Sequence, residues 1–218
     1  MVAISAEYRI RSEHGTSPFE CVADGKSAVR WVREHAGDLG IDPGRIAAGG
    51  GSAGGHVAAC TGIIAGFDDE EDSEISSVPD TMVLFNPAVE LSERALPGLN
   101  ETEDDAVIGF NAQMQEISPA DHVRAGLPPT IIFHGTGDQV VLFDCIERFR
   151  DAMREAGNRC EVVAFDGKPH AFFNYGREED NASFTATLRA ADRFLASLGY
   201  LSGEPTLQEG GTWPGKKD

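Results

Sequence analysis

Two rhythms of apolar and polar positions alternate along this chain. Short runs rich in β-branched and aromatic residues recur between longer stretches of helical period. Val2–Tyr8, Arg45–Gly49, Thr81–Phe85, Thr130–Phe133 and Glu161–Phe165 read as strands, the first of them buried and starting at the first residues. Cys21 to Ala36 reads as a helix, with Val22, Ala28, Val29, Trp31 and Val32 at its apolar positions. Further helices are expected from about Ala53 to Ala65, Leu142 to Ala156 and Ala182 to Leu198. Arg11 to Pro18 reads as a loop, and Asp42-Pro43-Gly44 as a turn. The stretch from about 88 to 127 has weak periodicity and reads as a helical excursion. Strands that alternate with helices predict an α/β fold: a mainly parallel sheet with helices on both faces. The domain then spans 1–201, and the Gly-, Pro- and charge-rich residues 202–218 form a loose tail. No internal repeat interrupts this order.

One turn in the pattern carries chemistry. Gly49-Gly50-Gly51-Ser52-Ala53-Gly54-Gly55 joins the apolar run Ile46–Ala48 to a helical stretch beginning at His56. Gly50, Ser52 and Gly54 fit the Gly-x-Ser-x-Gly nucleophile elbow. A serine on a sharp strand-to-helix turn stands clear of the sheet, above the positive end of the helix. The backbone N–H of Ala53 can then face a developing oxyanion. Glycine-rich turns of this kind also bind phosphate. Here no Lys-Ser/Thr pair follows, and the spacing is not that of a dinucleotide site.

Two later strand ends carry partners for a serine. Thr130–Phe133 leads through His134-Gly135-Thr136-Gly137 to Asp138, and Glu161–Phe165 leads through Asp166-Gly167-Lys168-Pro169 to His170. Ser52, Asp138 and His170 thus follow one another in the triad order of Ser-Asp-His hydrolases, each just past a strand. Asp166 competes with Asp138 as the acid, and Asp144 less well. His56 reads as a packed, hydrogen-bonded side chain, and His134 as a brace for the Asp138 turn. His14, His35 and His122 lie in polar stretches and read as exposed. Tyr8, Arg9 and Asp24 read as a buried polar brace. Phe85, Phe110, Met114, Phe172 and Phe173 are candidates for a pocket wall.

Charge and cysteine usage narrow the setting. Acidic residues outnumber basic ones by 36 to 18, a net charge of −18, which argues against nucleic acid and anionic membranes as partners. The run Asp68-Asp69-Glu70-Glu71-Asp72-Ser73-Glu74 reads as a solvated loop rather than a calcium site. Cys21, Cys60, Cys145 and Cys160 have no metal-ligand spacing and form no disulfide framework. A reducing, cytoplasmic setting follows. No apolar run is long enough for a membrane span. The chemistry needs no metal and no cofactor.

These residues together resemble the α/β-hydrolase superfamily, and within it the hormone-sensitive-lipase-like and acetyl-xylan-esterase-like carboxylesterases. The resemblance runs from Met1 to about Leu201. It rests on Ala6-Glu7-Tyr8-Arg9, on Asp24 through Val32, on Gly50 through His56, on His134 through Asp138 and on Lys168 through Phe173. It implies Ser52 as nucleophile, His170 as base and Asp138 as the carboxylate that orients it. It implies Ala53, Gly51 and Phe172 as oxyanion and substrate contacts, and a small ester as substrate, with acylated carbohydrate as one source. A prolyl-oligopeptidase-type peptidase and an inactive hydrolase-fold protein are the alternatives. Ala53 after the serine favours the esterase, because those peptidases often carry tyrosine there.

The chain departs from that family in one respect. A His-Gly-Gly-Gly-type loop, carried after the family's third strand, is absent. The chain starts in what looks like the fourth strand, so an N-terminally truncated hydrolase fold is expected. Losing the third strand would leave unpaired backbone groups, each costing about 1–3 kcal/mol when buried. Low activity of the chain alone, and association as a homodimer through exposed strand edges, are the corresponding expectations.

Overall fold

The computed structural model describes residues 1–68, 74–97 and 113–207. Four strands form one parallel sheet in the order β1-β2-β3-β4: Ala47–Gly51, Thr81–Phe85, Thr130–Gly135 and Cys160–Phe165. The helices are α1 (Arg11–His14), α2 (Pro18–Glu34), α3 (Ala36–Leu39), α4 (Ala53–Ile63), α5 (Phe143–Glu155) and α6 (Ala182–Ser197). The chain divides into two compact units, Val2–His170 and Ala171–Asp218 with Met1.

In the first unit the sheet orders the helices. β3 is buried at every position, as a central strand covered on both faces must be. α4 is apolar around its circumference and is buried from Gly55 to Ile63. It packs along β1 and β2, and α2 packs on α4. α2 starts at a capping box, in which Ser17 and Glu20 each satisfy the other's backbone N–H and Pro18 presets the first turn. α5 buries Cys145, Ile146, Phe149 and Met153, one stripe of helical period, and packs along β3 and β4. The core gathers Val22, Ile63, Met82, Leu84, Ile132, Ile146 and Phe149. In the second unit, Glu178 accepts hydrogen bonds from the backbone and hydroxyl of Ser183 at 2.8 and 2.9 Å, which starts α6. α6 buries Ala191, Phe194 and Leu195.

Four expectations are corrected. Residues 2–8 form no strand. They make no ladder with β1–β4, and all but Tyr8 are exposed. A strand exists only with a partner for its backbone groups, and an apolar run does not supply one. Part of the expected loop at 11–18 is the helical turn α1. The Arg9–Asp24 ion pair forms at 2.6 Å, but at the surface rather than as a buried brace. Asp68, from the acidic run, is not simply solvated. It pairs with Lys26 and Arg30, both buried, and accepts from Ser77. Residues 69–73, with any calcium site there, lie outside the described residues, as do 98–112 of the excursion, including Phe110, and 208–218 of the tail. The described end of the excursion is two 3-10 turns, Met114–Ile117 and Pro119–His122. Among the described residues no helix is long and apolar enough to cross a membrane.

β1 and α4 cross so closely that a Cβ on Gly50 would collide with the Gly54 carbonyl. Gly50→Ala should destabilise the fold by about 1–3 kcal/mol, read as a lower urea midpoint. Gly37→Ala meets nothing within 4 Å and lies in a helix, so it should be neutral or stabilising. Equal midpoints for the two variants would refute this account of the crossing.

Candidate active site

Ser52 alone makes the turn between β1 and α4. Its φ of 54° is positive, a strained conformation for a residue with a Cβ. Two hydrogen bonds hold it: the Ser52 N–H donates to the Phe85 carbonyl, and the His56 N–H donates to the Ser52 carbonyl, both at 2.9 Å. Ala53, the first residue of α4, is exposed. Its N–H belongs to the first turn, which has no intrahelical acceptor. Gly51 ends β1 and is in register with Phe85.

Three side chains form a continuous line. His170 Nε2 lies 2.9 Å from Ser52 Oγ, and His170 Nδ1 lies 2.7 Å from Asp138 Oδ2. Asp138 is 2% exposed. Its Oδ1 accepts from the Val140 and Val141 N–H groups at 2.8 and 3.0 Å. Its Oδ2 accepts from Asn86 Nδ2 at 2.8 Å, and His134 Nε2 stands 3.3 Å away. Burial pushes the carboxyl pKa up. The hydrogen bonds from His134, the Val141 N–H, His170 and the Val140 N–H outweigh it and hold the group well below the usual carboxylate range. An ionised Asp138 only accepts, so His170 Nδ1 carries the proton. Nε2 is then bare and accepts from the Ser52 hydroxyl.

The loops that carry Asp138 and His170 are clamped together. The Thr136 N–H donates to the Phe165 carbonyl at 2.9 Å and the Gly137 N–H to the Lys168 carbonyl at 3.1 Å. The Thr136 hydroxyl donates to Asp166 at 3.3 Å and accepts from the Gly167 N–H at 2.7 Å. A side chain at Gly135 would collide with the Lys168 backbone. Asp166, the competing acid, is exposed and spent on this clamp. Asp144 pairs with Arg148 at 2.7 Å.

The remaining candidates fall apart from this line. His56 is buried and bonds the Ile117 carbonyl at 2.7 Å through Nε2. Burial lowers its pKa, against that bond, so it is a packed neutral side chain. His134 lies against the Asp138 turn and bonds the Val141 carbonyl at 2.9 Å. His14 is exposed, while His35 and His122 are half-buried. Phe85 stacks on Phe133 with centroids 5.1 Å apart, and Met114 is buried. Phe172, in the second unit, is buried and edge-on to Phe173. The pattern reading missed Asn86. The available signal was a polar residue directly past β2, between the strands that lead to Ser52 and Asp138.

This sheet, with its strand–Ser–helix elbow and its Ser–Asp–His order, has the build of an α/β-hydrolase of the esterase/lipase group. Comparison with known proteins narrows the class: the family model described as BD-FAE matches residues 1–153, and the chain belongs to that family. A propionate-bound structure of esterase 2 from Thermogutta terrifontis is 47% identical with a TM-score of 0.82, covering 91% of this chain and 72% of that one. Esterase LipQ of Mycobacterium tuberculosis is 30% identical over 93% of this chain and 48% of its own length. Carboxylesterase NlhH of the same species is 27% identical over 90% of this chain and 63% of its own. The chain spans about half the length of the curated relatives it matches.

The Asp138 shift has a stability consequence. Because the folded-state pKa is depressed, the carboxylate stabilises the fold above its unfolded value, near pH 4, and that contribution is lost as pH falls toward the folded value. The loss caused by Asp138→Asn should therefore be largest near neutral pH and shrink below about pH 4. Urea midpoints of the two proteins across this range check it; a pH-independent difference would contradict it.

Proposed function

We propose that this chain hydrolyses carboxylic esters of small acyl groups, with Ser52 as nucleophile, His170 as general base and acid, and Asp138 as the orienting carboxylate. The hydrogen-bonded line from Ser52 Oγ through His170 to Asp138 carries the reading. Ser52 Oγ attacks the ester carbonyl carbon while its proton passes to His170 Nε2. The carbonyl electrons move to the oxygen, which faces the Ala53 N–H and the positive end of α4. Asp138 stabilises the imidazolium. The tetrahedral centre collapses, the C–O bond to the alcohol breaks, and His170 returns the proton to the leaving oxygen. Water then repeats the cycle on the acyl-serine and releases the acid. Gly51, which ends β1 beside Ser52, is the further substrate contact in this reading.

Support for a short acyl group comes from the Thermogutta esterase, described with propionate and with butyrate bound. That protein is also described as phosphonylated by sarin and phosphorylated by paraoxon, reagents that modify serine hydrolases. An acylated carbohydrate is the substrate we favour, its sugar hydroxyl being the leaving alcohol. A cytoplasmic setting fits the four free cysteines; burial above all holds the thiols of Cys145 and Cys160 up at about 12. Homodimerisation through the outer edge of β1 belongs to the same reading, because that edge pairs with no strand among the described residues.

A fluorophosphonate probe should label the chain, and Ser52→Ala should abolish labelling without unfolding it. Turnover of p-nitrophenyl acetate should fall on the order of 10⁴-fold or more in that variant. Cleavage of a dipeptide amide in preference to the ester, or labelling that survives Ser52→Ala, would remove the assignment. Sedimentation equilibrium should find a dimer; a monomer at all concentrations would remove that part.

A further inference from the structure

Asn86 directly follows β2 and precedes Pro87. It is wholly buried. Its φ of 43° is left-handed, a conformation asparagine tolerates better than most residues. The Asn86 N–H donates to the Phe133 carbonyl at 2.9 Å, one step beyond the Phe85–Phe133 pair of the β2–β3 ladder. The amide is thereby anchored to the end of the strand that leads to Asp138.

Among the described residues its side chain has one polar partner. Nδ2 donates to Asp138 Oδ2 at 2.8 Å, while Oδ1 is buried with no hydrogen-bond partner among those residues. A flipped amide would set Oδ1 against an ionised carboxylate, so Nδ2 must be the end that faces Asp138. A leucine of similar volume would leave no orphaned oxygen. The orphan and the left-handed backbone are both disadvantages, and what they accompany is one donor aimed at one oxygen. That oxygen is the one that accepts from His170 Nδ1. His134 Nε2 approaches it too, at 3.3 Å, but lies nearer the Val141 carbonyl, at 2.9 Å.

We propose that Asn86 is a positioning residue of the Ser52–His170–Asp138 site, its amide holding Asp138 Oδ2 where it receives the His170 Nδ1 proton in line. The proposal rests on the reading of Ser52 as nucleophile. Without the amide, Oδ1 stays on the Val140 and Val141 N–H groups, but Oδ2 can tilt about that anchor toward His134. The bond from His170 then lengthens, and the imidazole loses the orientation that keeps a bare Nε2 against the Ser52 hydroxyl.

The test uses the whole chain with Asn86→Leu, Asn86→Asp and Ser52→Ala. Asn86→Leu removes the donor and the orphan together. Asn86→Asp keeps the shape and replaces the donor by a carboxyl. Circular dichroism checks folding. The readouts are the rate of fluorophosphonate labelling against pH, kcat and KM for p-nitrophenyl acetate, and the downfield proton resonance of His170 Nδ1–H. In Asn86→Leu, labelling rate and kcat should fall about 10–100-fold, the size of one hydrogen bond to a charged group. KM should change less than about threefold, and the resonance should move upfield. In Asn86→Asp, labelling should fall as pH rises through the titration of the introduced carboxyl, a limb the parent lacks. If the parent labels, Ser52→Ala does not, and both Asn86 variants keep parental rates and the parental resonance, the proposal fails while the site reading stands. Losses that track only the unfolded fraction in both variants also overturn it. A parent that does not label, or a Ser52→Ala variant that does, overturns the site reading and the proposal with it.

Discussion

A carboxylate without water around it is the constraint on which this site depends. Asp138 is almost wholly buried, and burial alone would drive it to the neutral acid. Five N–H groups oppose that: two from its own turn, one from His134 on β3, one from Asn86 past β2 and one from His170 past β4. The charge therefore ties three strand ends together. Ionisation also fixes the proton positions: an acceptor-only Asp138 makes His170 Nδ1 the donor and leaves Nε2 bare beside Ser52.

The sheet's register makes such a convergence possible. Gly51 pairs with Phe85, Phe85 with Phe133, and Gly135 with Phe165. The four strands run parallel, so their C-terminal ends fall along one edge, where open α/β sheets place their sites. Ser52 and Asn86 follow their strands immediately, and Asp138 and His170 follow after short loops. Those loops have little freedom of their own. Thr136 and Gly137 bond the 165–168 segment through backbone and hydroxyl, so the acid and the imidazole are held by one clamp rather than by two mobile turns.

The pattern of apolar runs located β1 to β4 within a few residues, and Thr81–Phe85 coincides with its strand. It did so because continuous burial leaves a local signature. Ser52, Asp138 and His170 were legible for a related reason: each is a chemistry-bearing residue at the end of such a run. Asn86 was not, because its contact with Asp138 spans 52 residues and an asparagine before proline reads equally well as a turn. Residues 2–8 show the opposite failure. Their apolar run reports what the segment would bury, and hydrogen-bonding partners cannot be read from it. Asp68 shows a third. An acidic run looks solvated until a helix elsewhere presents Lys26 and Arg30 from a buried face, and nothing in the period of α2 marks those two cations as needing an anion.

The two groups that flank Asp138 Oδ2 share a further property. The amide of Asn86 and the imidazole of His134 are planar and two-ended, and a planar group aimed at one oxygen must present its other end to whatever lies behind. Behind lies no polar partner among the described residues: Asn86 is wholly buried, and the His134 ring sits 5.9 Å from that of Phe143. Asn86 Oδ1 and His134 Nδ1 are accordingly buried with no partner among the described residues. Each such orphan costs about 1–3 kcal/mol. Apolar side chains at both positions would avoid that, but would leave Oδ2 with His170 as its only side-chain donor. The Val140 and Val141 N–H groups pin Oδ1, so the donors on Oδ2 set how far the carboxylate can tilt about that anchor, and a carboxylate that tilts does not hold an imidazole in line. The orphans on the far side are thus the geometric consequence of an oriented charge on the near side, and the fold can bear them because the sheet core around Leu84, Ile132 and Ile146 is fully buried.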